Sequence, residues 1–336
     1  MTWQMIGHAW AETLLKKHVS TGSARHAYLI SGDDGVGKRT LALHFAQALN
    51  CTGSDQSGEL CGECRACVLI PTLQFPDVHE LTPEEDSTKI KVEQIRELHQ
   101  SLALSPFEGK WRIAIIPDFE NATDAAANAL LKTLEEPSDR VIVLITAIDS
   151  ASLLPTIVSR CEHIPLRAVS RDIVLDAIVK RNSLGERAEL IASLAQGRPG
   201  WALRYADNPD YLIKRAELLD RLNKLLHQSK RERFDYVEGL LPPRKDDLET
   251  QRKKVSEALL VWMGIWRDAL QRGFQAEIDI TNQDSSSLIE ELNQKLPPKR
   301  IYAVVLAMKR AQRAIERYAN VRLTMEVLML ELPYLR

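Results

Sequence analysis

The chain has 336 residues, of which 45% are apolar and 27% charged, values that exclude a disordered or low-complexity protein. Its 44 lysines and arginines against 46 acidic residues give a net charge of −2, so no strong overall field draws it to nucleic acid or to an anionic membrane. The longest apolar run, residues 141–148, is far too short to span a bilayer, and the N-terminus lacks the apolar core of a signal peptide. We therefore expect a soluble cytoplasmic protein of about two or three domains.

Residues 1–165 alternate between strand-like and helix-like patterns. Apolar runs and helical spacing predict these elements in chain order: strand 26–31, helix 38–50, strand 78–81, helix 91–104, strand 111–116, helix 123–136 and strand 140–146. Strands that alternate with helices indicate a mainly parallel sheet covered on both faces. The sequence therefore predicts an α/β domain over residues 1–165.

Beyond residue 166 the strand signals end and helix-forming residues dominate. The predicted helices lie at 170–179, 186–195, 201–205, 248–272, 299–318 and 320–332. Asn208-Pro209 is typical of a boundary between domains. We therefore predict a small helical domain over residues 166–208 and a larger all-α domain over residues 209–336.

The segment from Gly32 to Lys38 stands between a predicted strand and a predicted helix, which is the context that a P-loop requires. Gly32, Gly35 and Gly37 would let backbone N–H groups wrap a phosphate, and the Lys38 ammonium would reach its terminal oxygens. An ordinary glycine-rich turn between strand and helix is the alternative. The agreement of strand, loop, lysine and helix favours P-loop ancestry.

The residues that would bind magnesium beside this loop are altered. Arg39 stands where a P-loop has Ser or Thr, and a guanidinium has no lone pair to offer a metal. Thr40 is one residue late, about 100° further round the helix. After strand 111–116, Pro117-Asp118 replaces the acidic pair that holds Mg²⁺ and activates water. The sequence predicts no ATP hydrolysis and leaves open whether Gly32–Lys38 and Thr40 hold ATP or ADP passively.

Four of the five cysteines lie within 17 residues, as Cys51, Cys61, Cys64 and Cys67. Two-residue gaps let neighbouring thiolates converge on one ion, so this spacing is typical of a structural, tetrahedral zinc site. An iron–sulfur cluster also accepts such spacing, but the C-x3-C-P continuation of the bacterial ferredoxin pattern is missing. The alternatives are that cluster or four reduced structural cysteines.

Two further segments carry a family resemblance. Residues 128–137, NALLKTLEEP, and the tripeptide Ser159-Arg160-Cys161 resemble the signature motifs of clamp-loader ATPase subunits of bacterial DNA polymerase III, which belong to the AAA+ family. His26-Ala27-Tyr28-Leu29 before the loop and the four-cysteine insert after its helix also match. The resemblance implies an AAA+-like P-loop domain with a zinc knuckle, a small helical lid domain and an all-α C-terminal collar domain.

The same resemblance indicates which functional residues of the family are replaced in this sequence. Pro117 falls at the family's metal-binding Asp, Asp118 at its catalytic Glu, and Gly200 at an Arg that contacts nucleotide. Subunits of the gamma/tau type keep these three residues, whereas those of the delta-prime type are similar to this sequence in lacking them. Lys38 departs from some delta-prime proteins, which lack it.

The resemblance also implies a role for Arg160, because the family's arginine at that place reaches into the ATP site of a neighbouring subunit. Lys132, Glu135 and Glu136 are interpreted as a solvated helix face. The implied function is a non-hydrolysing, stator-like clamp-loader subunit. Its implied partners are gamma/tau and delta subunits, with the sliding clamp and primer-template DNA reached through the complex. The alternatives are an active gamma/tau-type ATPase or a zinc-knuckle nucleic-acid-binding module.

Overall fold

A computed structural model describes residues 3–53, 57–84, 87–181, 185–208, 210–240, 248–274 and 280–335. The chain divides into two compact units. The first comprises Met1–Ser183 with Ala195–Arg204, and the second comprises Leu184–Leu194 with Tyr205–Arg336. The three-domain division at residues 165 and 208 stays a prediction.

The first unit is built on a five-stranded sheet. Its strands are β1 (Ala27–Ser31), β2 (Val78–Glu80), β3 (Arg112–Ile116), β4 (Val141–Ala147) and β5 (Glu162–Pro165). They lie in the order β2-β3-β4-β1-β5, and every pair is parallel. The predicted parallel sheet is therefore confirmed. Because parallel strands end at the same edge, the loops that follow β1, β3 and β4 meet there, which is where ligands bind in such sheets.

Helices cover both faces of this sheet. The helices of the first unit are α1 (Ala9–Ser20), α2 (Lys38–Asn50), α3 (Arg65–Leu69), α4 (Val92–Leu102), α5 (Asp124–Glu135), α6 (Pro155–Val158), α7 (Arg171–Arg181) and most of α9 (Pro199–Ala206). Nearly all of α8 (Glu186–Ala195) belongs to the second unit. Helix α2 packs on one face through Leu41 and Phe45, and α4 and α5 pack on the other through Ile95 and Leu130. The central strands are buried on both faces, which explains their continuous apolar runs.

Beyond residue 205, the described residues of the second unit are mainly helical. Its helices are α10 (Asp210–His227), α11 (Lys230–Leu240), α12 (Leu248–Gly273), α13 (Ser286–Lys295), α14 (Pro298–Glu316) and α15 (Val321–Glu331). Trp262 and Trp266 on α12 are fully buried in its core. The buried Arg233 guanidinium donates to five backbone carbonyls, among them Leu225 at 2.7 Å and Leu332 at 2.8 Å. A cation at helix C-termini is favoured by the helix dipole, so Arg233 ties the end of α15 to that of α10.

Candidate functional site

The loop between β1 and α2 has the backbone shape of a phosphate loop. Gly35 and Gly37 adopt φ values of +80° and +108°, which side chains with a Cβ rarely adopt. Lys38 begins α2 and is only 7% exposed. Its ammonium donates to the Gly32 carbonyl at 2.6 Å and to the Asp33 carbonyl at 3.4 Å. The structure thus brings Gly32, Gly35, Gly37 and Lys38 together, with the ammonium paired to its own loop.

Backbone from the start of α9 lies directly on this loop. The Gly200 N–H donates to the Gly35 carbonyl at 2.7 Å. A Cβ built on Gly35 would lie 2.8 Å from the Trp201 nitrogen, and one on Gly200 would lie 3.0 Å from the Gly35 oxygen. The nearby Arg198 donates to the Ala195 carbonyl at 2.8 Å, within its own turn. Glycines at positions 35 and 200 therefore allow a close approach between the loop and α9.

The position of a magnesium-binding hydroxyl is occupied by a paired arginine. Arg39 donates to both carboxylate oxygens of Glu80 at the end of β2, with Nε–Oε1 at 2.7 Å and Nη2–Oε2 at 2.5 Å. The hydrogen bond with Glu80 outweighs desolvation and raises the pKa of Arg39, which keeps the guanidinium charged. Thr40 is on the side of α2 that faces the cysteines, where it lines a hollow of about 440 Å³ with Trp3, His44 and Gln47.

Asp118 is the acidic residue that the structure brings to Lys38, with Nζ–Oδ1 at 4.0 Å. Its backbone is left-handed at φ +47°, and its N–H donates to the Thr146 hydroxyl at 3.0 Å. Sequence reasoning missed both Thr146 and Glu80. The available signal for Thr146 was a single hydroxyl near the end of the otherwise apolar strand β4; Glu80 gave no local signal, because its partner Arg39 lies 41 residues away.

The four clustered cysteines converge at the C-terminal end of α2. Their Sγ atoms all lie within 4.8 Å of one another, with separations of 3.7 Å for Cys51–Cys67, 3.8 Å for Cys61–Cys67 and 3.9 Å for Cys51–Cys64. Four sulfurs about 2.3 Å from a tetrahedral ion would be about 3.8 Å apart. The Cys64 N–H also donates to Cys61 Sγ at 3.3 Å. These four residues could hold one metal ion.

The local environment of Cys64 favours a thiolate. Burial opposes its ionisation, but hydrogen bonds from the backbone of Thr52 and Cys67 and with the Cys61 and Cys67 side chains lower its pKa to about 6. Thiolates rather than thiols are the metal ligands, so Cys64 is suited to bind a cation, whereas burial holds the pKa of the Cys67 thiol above its usual range.

The cysteine segment is docked on the rest of the first unit. The Trp3 indole donates to the Gly58 carbonyl at 2.9 Å, and Lys16 on α1 pairs with Glu59 at 2.8 Å. The Gln47 amide on α2 donates to the Cys67 carbonyl at 2.7 Å. These contacts fix the segment to α1, α2 and the N-terminal residues, so the cluster has a structural position within the unit.

Arg160 follows α6 and is about one-third exposed. Its Nη1 donates to the Thr156 carbonyl at 2.9 Å, and its Nη2 pairs with Glu135 Oε1 at 2.6 Å. Glu135 was interpreted from the sequence as part of a solvated helix face; it is half-exposed, and it also binds this arginine. Burial raises the pKa of the neighbouring Cys161 to about 12, so that thiol is a packed group and not a nucleophile.

Comparison with known proteins places the chain in a family. A family model described as "DNA polymerase III, delta subunit" matches residues 7–170, and another described as "DNA polymerase III, delta subunit, C terminal" matches residues 209–333. A DNA polymerase III subunit delta′ of Yersinia pestis is 32% identical over 259 residues, covering 72% of this chain and 76% of that protein. The chain belongs to the DNA polymerase III subunit delta′ family.

Other relatives extend this delta′ assignment and connect it to further subunits. A delta′ subunit of Bacillus subtilis is 29% identical over 320 residues, which cover 95% of this chain and 94% of that protein. The DNA polymerase III subunit tau of Escherichia coli is 32% identical over 200 residues, covering 58% of this chain and 30% of that protein. This delta′ family member is thus also similar to the tau type of subunit.

Two further observations concern this delta′ chain. Trp262 and Trp266 are fully buried, so their indoles have no face free to stack on a nucleic-acid base. Within the residues that the structure describes, each helix is too short or too polar to cross a bilayer.

Proposed function

We propose that the chain is a non-hydrolysing subunit of a clamp loader and presents Arg160 to the ATP site of a neighbouring subunit. The observation that carries this proposal is the state of the phosphate loop. Arg39 is paired to Glu80 where a magnesium-binding hydroxyl would stand, and the Lys38 ammonium is paired to the Gly32 carbonyl of its own loop. A P-loop without its magnesium ligand lacks the ion that bridges the phosphates and neutralises charge during phosphoryl transfer.

The acidic residues near the loop support the same conclusion. Pro117 follows β3 at the place where the resemblance puts a metal-binding aspartate, and its hydrocarbon side chain has no oxygen to bind a cation. Asp118 lies beside Lys38 and is the one acid left at that place in the motif. A single acid paired with the loop lysine leaves the metal-binding position unfilled, so hydrolysis at this loop is not expected.

Arg160 supports the role in trans. A guanidinium has five N–H donors, and the contacts with Thr156 and Glu135 engage one hydrogen on each terminal nitrogen. The second hydrogen on each of those nitrogens can therefore bind phosphate oxygens of another subunit. An arginine supplied in this way stabilises the transition state and accelerates phosphoryl transfer by about 10³–10⁵-fold in well-studied systems.

The partners follow from the relatives. Proteins named as gamma, tau/gamma and tau subunits of DNA polymerase III are among those similar to this chain. We infer that gamma/tau and delta subunits are its neighbours, and that the sliding clamp and primer-template DNA are engaged through the assembled loader. The domain predicted over residues 209–336 would form the collar contacts of that assembly, and residues 166–208 would correspond to the lid.

We also infer that the ion held by Cys51, Cys61, Cys64 and Cys67 is zinc. The sulfur separations of 3.7–3.9 Å suit one tetrahedral ion, whereas a cluster of several irons would spread its ligands further apart. With four protein sulfurs the coordination sphere would be closed, so the ion would stabilise the segment and take no part in chemistry.

The test is ATP turnover by a loader reconstituted from this chain with gamma/tau and delta subunits, on primed DNA with the sliding clamp. We expect Arg160→Ala to assemble normally and to lower turnover at the site it faces by about 10³-fold, so the complex loses that site's share of hydrolysis. Arg96→Ala is the matched control, since it removes an exposed arginine from α4. Unchanged turnover with Arg160→Ala would overturn the proposed role.

A further inference from the structure

The two segments that carry the family resemblance meet in one ion pair. Glu135 is the last residue of α5, in the NALLKTLEEP segment, and Arg160 lies just after α6, in the Ser-Arg-Cys segment. Glu135 Oε1 and Arg160 Nη2 are 2.6 Å apart. The side chains are 50% and 34% exposed, respectively. An exposed ion pair of this kind contributes little to the free energy of folding. Its main consequence is therefore the orientation that it gives to the Arg160 side chain.

The guanidinium is held from two directions. Its Nη1 donates to the carbonyl of Thr156, four residues earlier in the chain, while Nη2 is held by a helix from a different part of the sequence. An arginine side chain has several freely rotating bonds, and fixing both terminal nitrogens selects one orientation of its plane. The helix end that carries Glu135 is itself fixed, because Leu130 and Leu134 of α5 are buried against the sheet.

We propose that Glu135 is a positioning residue for Arg160, an inference that rests on the proposed function. The carboxylate holds the guanidinium in the orientation that reaches the neighbouring subunit's phosphates and leaves the second hydrogen on each terminal nitrogen free for them. Glu135 itself contacts no phosphate. Its loss widens the range of Arg160 orientations and therefore lowers the rate of the chemical step, not the affinity of the neighbour for ATP.

The adjacent Glu136 provides a matched comparison. It carries the same side chain and is exposed, but it lies beyond the last helical residue with φ −123° and ψ 69°. Removing either carboxylate changes the net charge of the chain by the same amount. A difference between the two variants therefore reports the contact with Arg160 and not a general change in surface charge.

The experiment measures kcat and KM for ATP in the reconstituted loader with Glu135→Ala, Glu135→Gln and Glu136→Ala chains. We expect Glu135→Ala to lower kcat about two- to fivefold with KM unchanged, Glu135→Gln to recover part of the loss by hydrogen bonding, and Glu136→Ala to match the unmodified chain. The double variant Arg160→Ala/Glu135→Ala should be no slower than Arg160→Ala alone.

Three results would overturn the inference while leaving the proposed function standing: an unchanged or increased kcat with Glu135→Ala, an equal loss with Glu136→Ala, or a further loss in the Arg160→Ala background. An Arg160→Ala variant that turns over ATP normally would instead remove the proposed function and this inference together. Thermal unfolding of each chain shows whether it is folded before it is assembled.

Discussion

The two ends of helix α2 carry the two candidate binding features of the first unit, and they differ in what they have kept. At the N-terminal end the loop has its glycines and Lys38, but a paired arginine stands at the magnesium position. At the C-terminal end four cysteines bring their sulfurs to separations that suit a single ion. Backbone shape is present at both ends, whereas a complete set of metal ligands is present only at the second.

The two ends of α2 are stabilised in different ways. The cysteine segment is docked by contacts from Trp3, Lys16 and Gln47, and we expect a metal bound by its four thiols to hold its turns together. The phosphate loop is held by backbone contacts that require no ligand, chiefly the bond from Gly200 to Gly35. We therefore expect the stability of the phosphate loop to depend on its backbone conformation, and the stability of the cysteine segment to depend on bound metal.

The largest effect is expected at the cysteines. Cys67→Ala removes a buried ligand, so bound zinc should fall from about one per chain to none and the thermal midpoint should drop markedly. Elemental analysis and a melting curve measure the two outcomes. Cys161→Ala is the control, because it removes a packed thiol outside the cluster. Equal melting curves for the two variants would contradict a structural role for the metal.

A smaller effect is expected where α9 lies on the phosphate loop. Gly35→Ala would place a Cβ 2.8 Å from the Trp201 nitrogen at a φ of +80°, and should destabilise the chain by about 2–3 kcal/mol. Gly22→Ala is the control, since Gly22 has a φ of +64° with open space around its Cβ position, and should cost about 1–2 kcal/mol. Denaturant unfolding gives both values. No excess cost at Gly35 would mean that the loop and α9 do not pack closely.

A buried carboxylate near the C-terminal end of α2 should make the stability of the chain sensitive to acid. The fully buried Asp77 accepts hydrogen bonds from the N–H groups of Phe107, Glu108 and Gly109, at the loop that leads to Trp111 and its bond with Asn50 of α2. Burial opposes its charge, but these backbone bonds and Arg112 hold the pKa of Asp77 below its ordinary value of 3.8.

A lowered pKa in the folded state means that the stabilisation by Asp77 is complete above pH 3.8 and is lost as the pH falls through the folded-state value. Asp77→Asn should cost about 1–3 kcal/mol at neutral pH, because an amide group would face N–H donors. The gap between wild type and variant should shrink in acid, which melting curves at a series of pH values measure. A gap that is constant with pH would show that the carboxylate charge is unimportant.

The smallest effect is expected from restoring magnesium ligands. Arg39→Thr combined with Pro117→Asp supplies a hydroxyl and a carboxylate, yet we expect no ATP turnover, because Asp118 still stands where the resemblance puts the catalytic glutamate and Lys38 still pairs with its own loop. Phosphate release by the purified double variant is the measurement. Turnover in that variant would mean that only two ligands separate this loop from an active one.

Much of the fold could be predicted because its signals are local. The predicted helix 38–50 coincides with α2, the strand over 111–116 begins one residue before β3, and the strand over 140–146 is shifted by one residue from β4. A strand was expected around His163, but its place in the sheet as β5 was not predicted, because an edge strand with a single buried residue, Ile164, has no apolar run. Helix α1 was missed for a similar reason, since it buries only Ala11 and Leu15.

In the candidate sites, too, the residues that are close in sequence could be predicted and the distant ones could not. The phosphate loop and the four cysteines could be found because their residues are close in sequence. The partners that define their surroundings could not, because Glu80 lies 41 residues from Arg39 and Glu59 lies 43 residues from Lys16. The pairing of Glu135 with Arg160 likewise depends on how α5 and α6 pack, which periodicity does not specify.

The most direct test of the central claim is hydrolysis by the purified chain alone, given ATP and magnesium in excess. The account predicts phosphate release no faster than that of a Lys38→Ala chain, since neither has a magnesium ligand at the loop. Sustained release that Lys38→Ala abolishes would contradict it, because the chain would then carry out in its own loop the reaction that we assign to a neighbour.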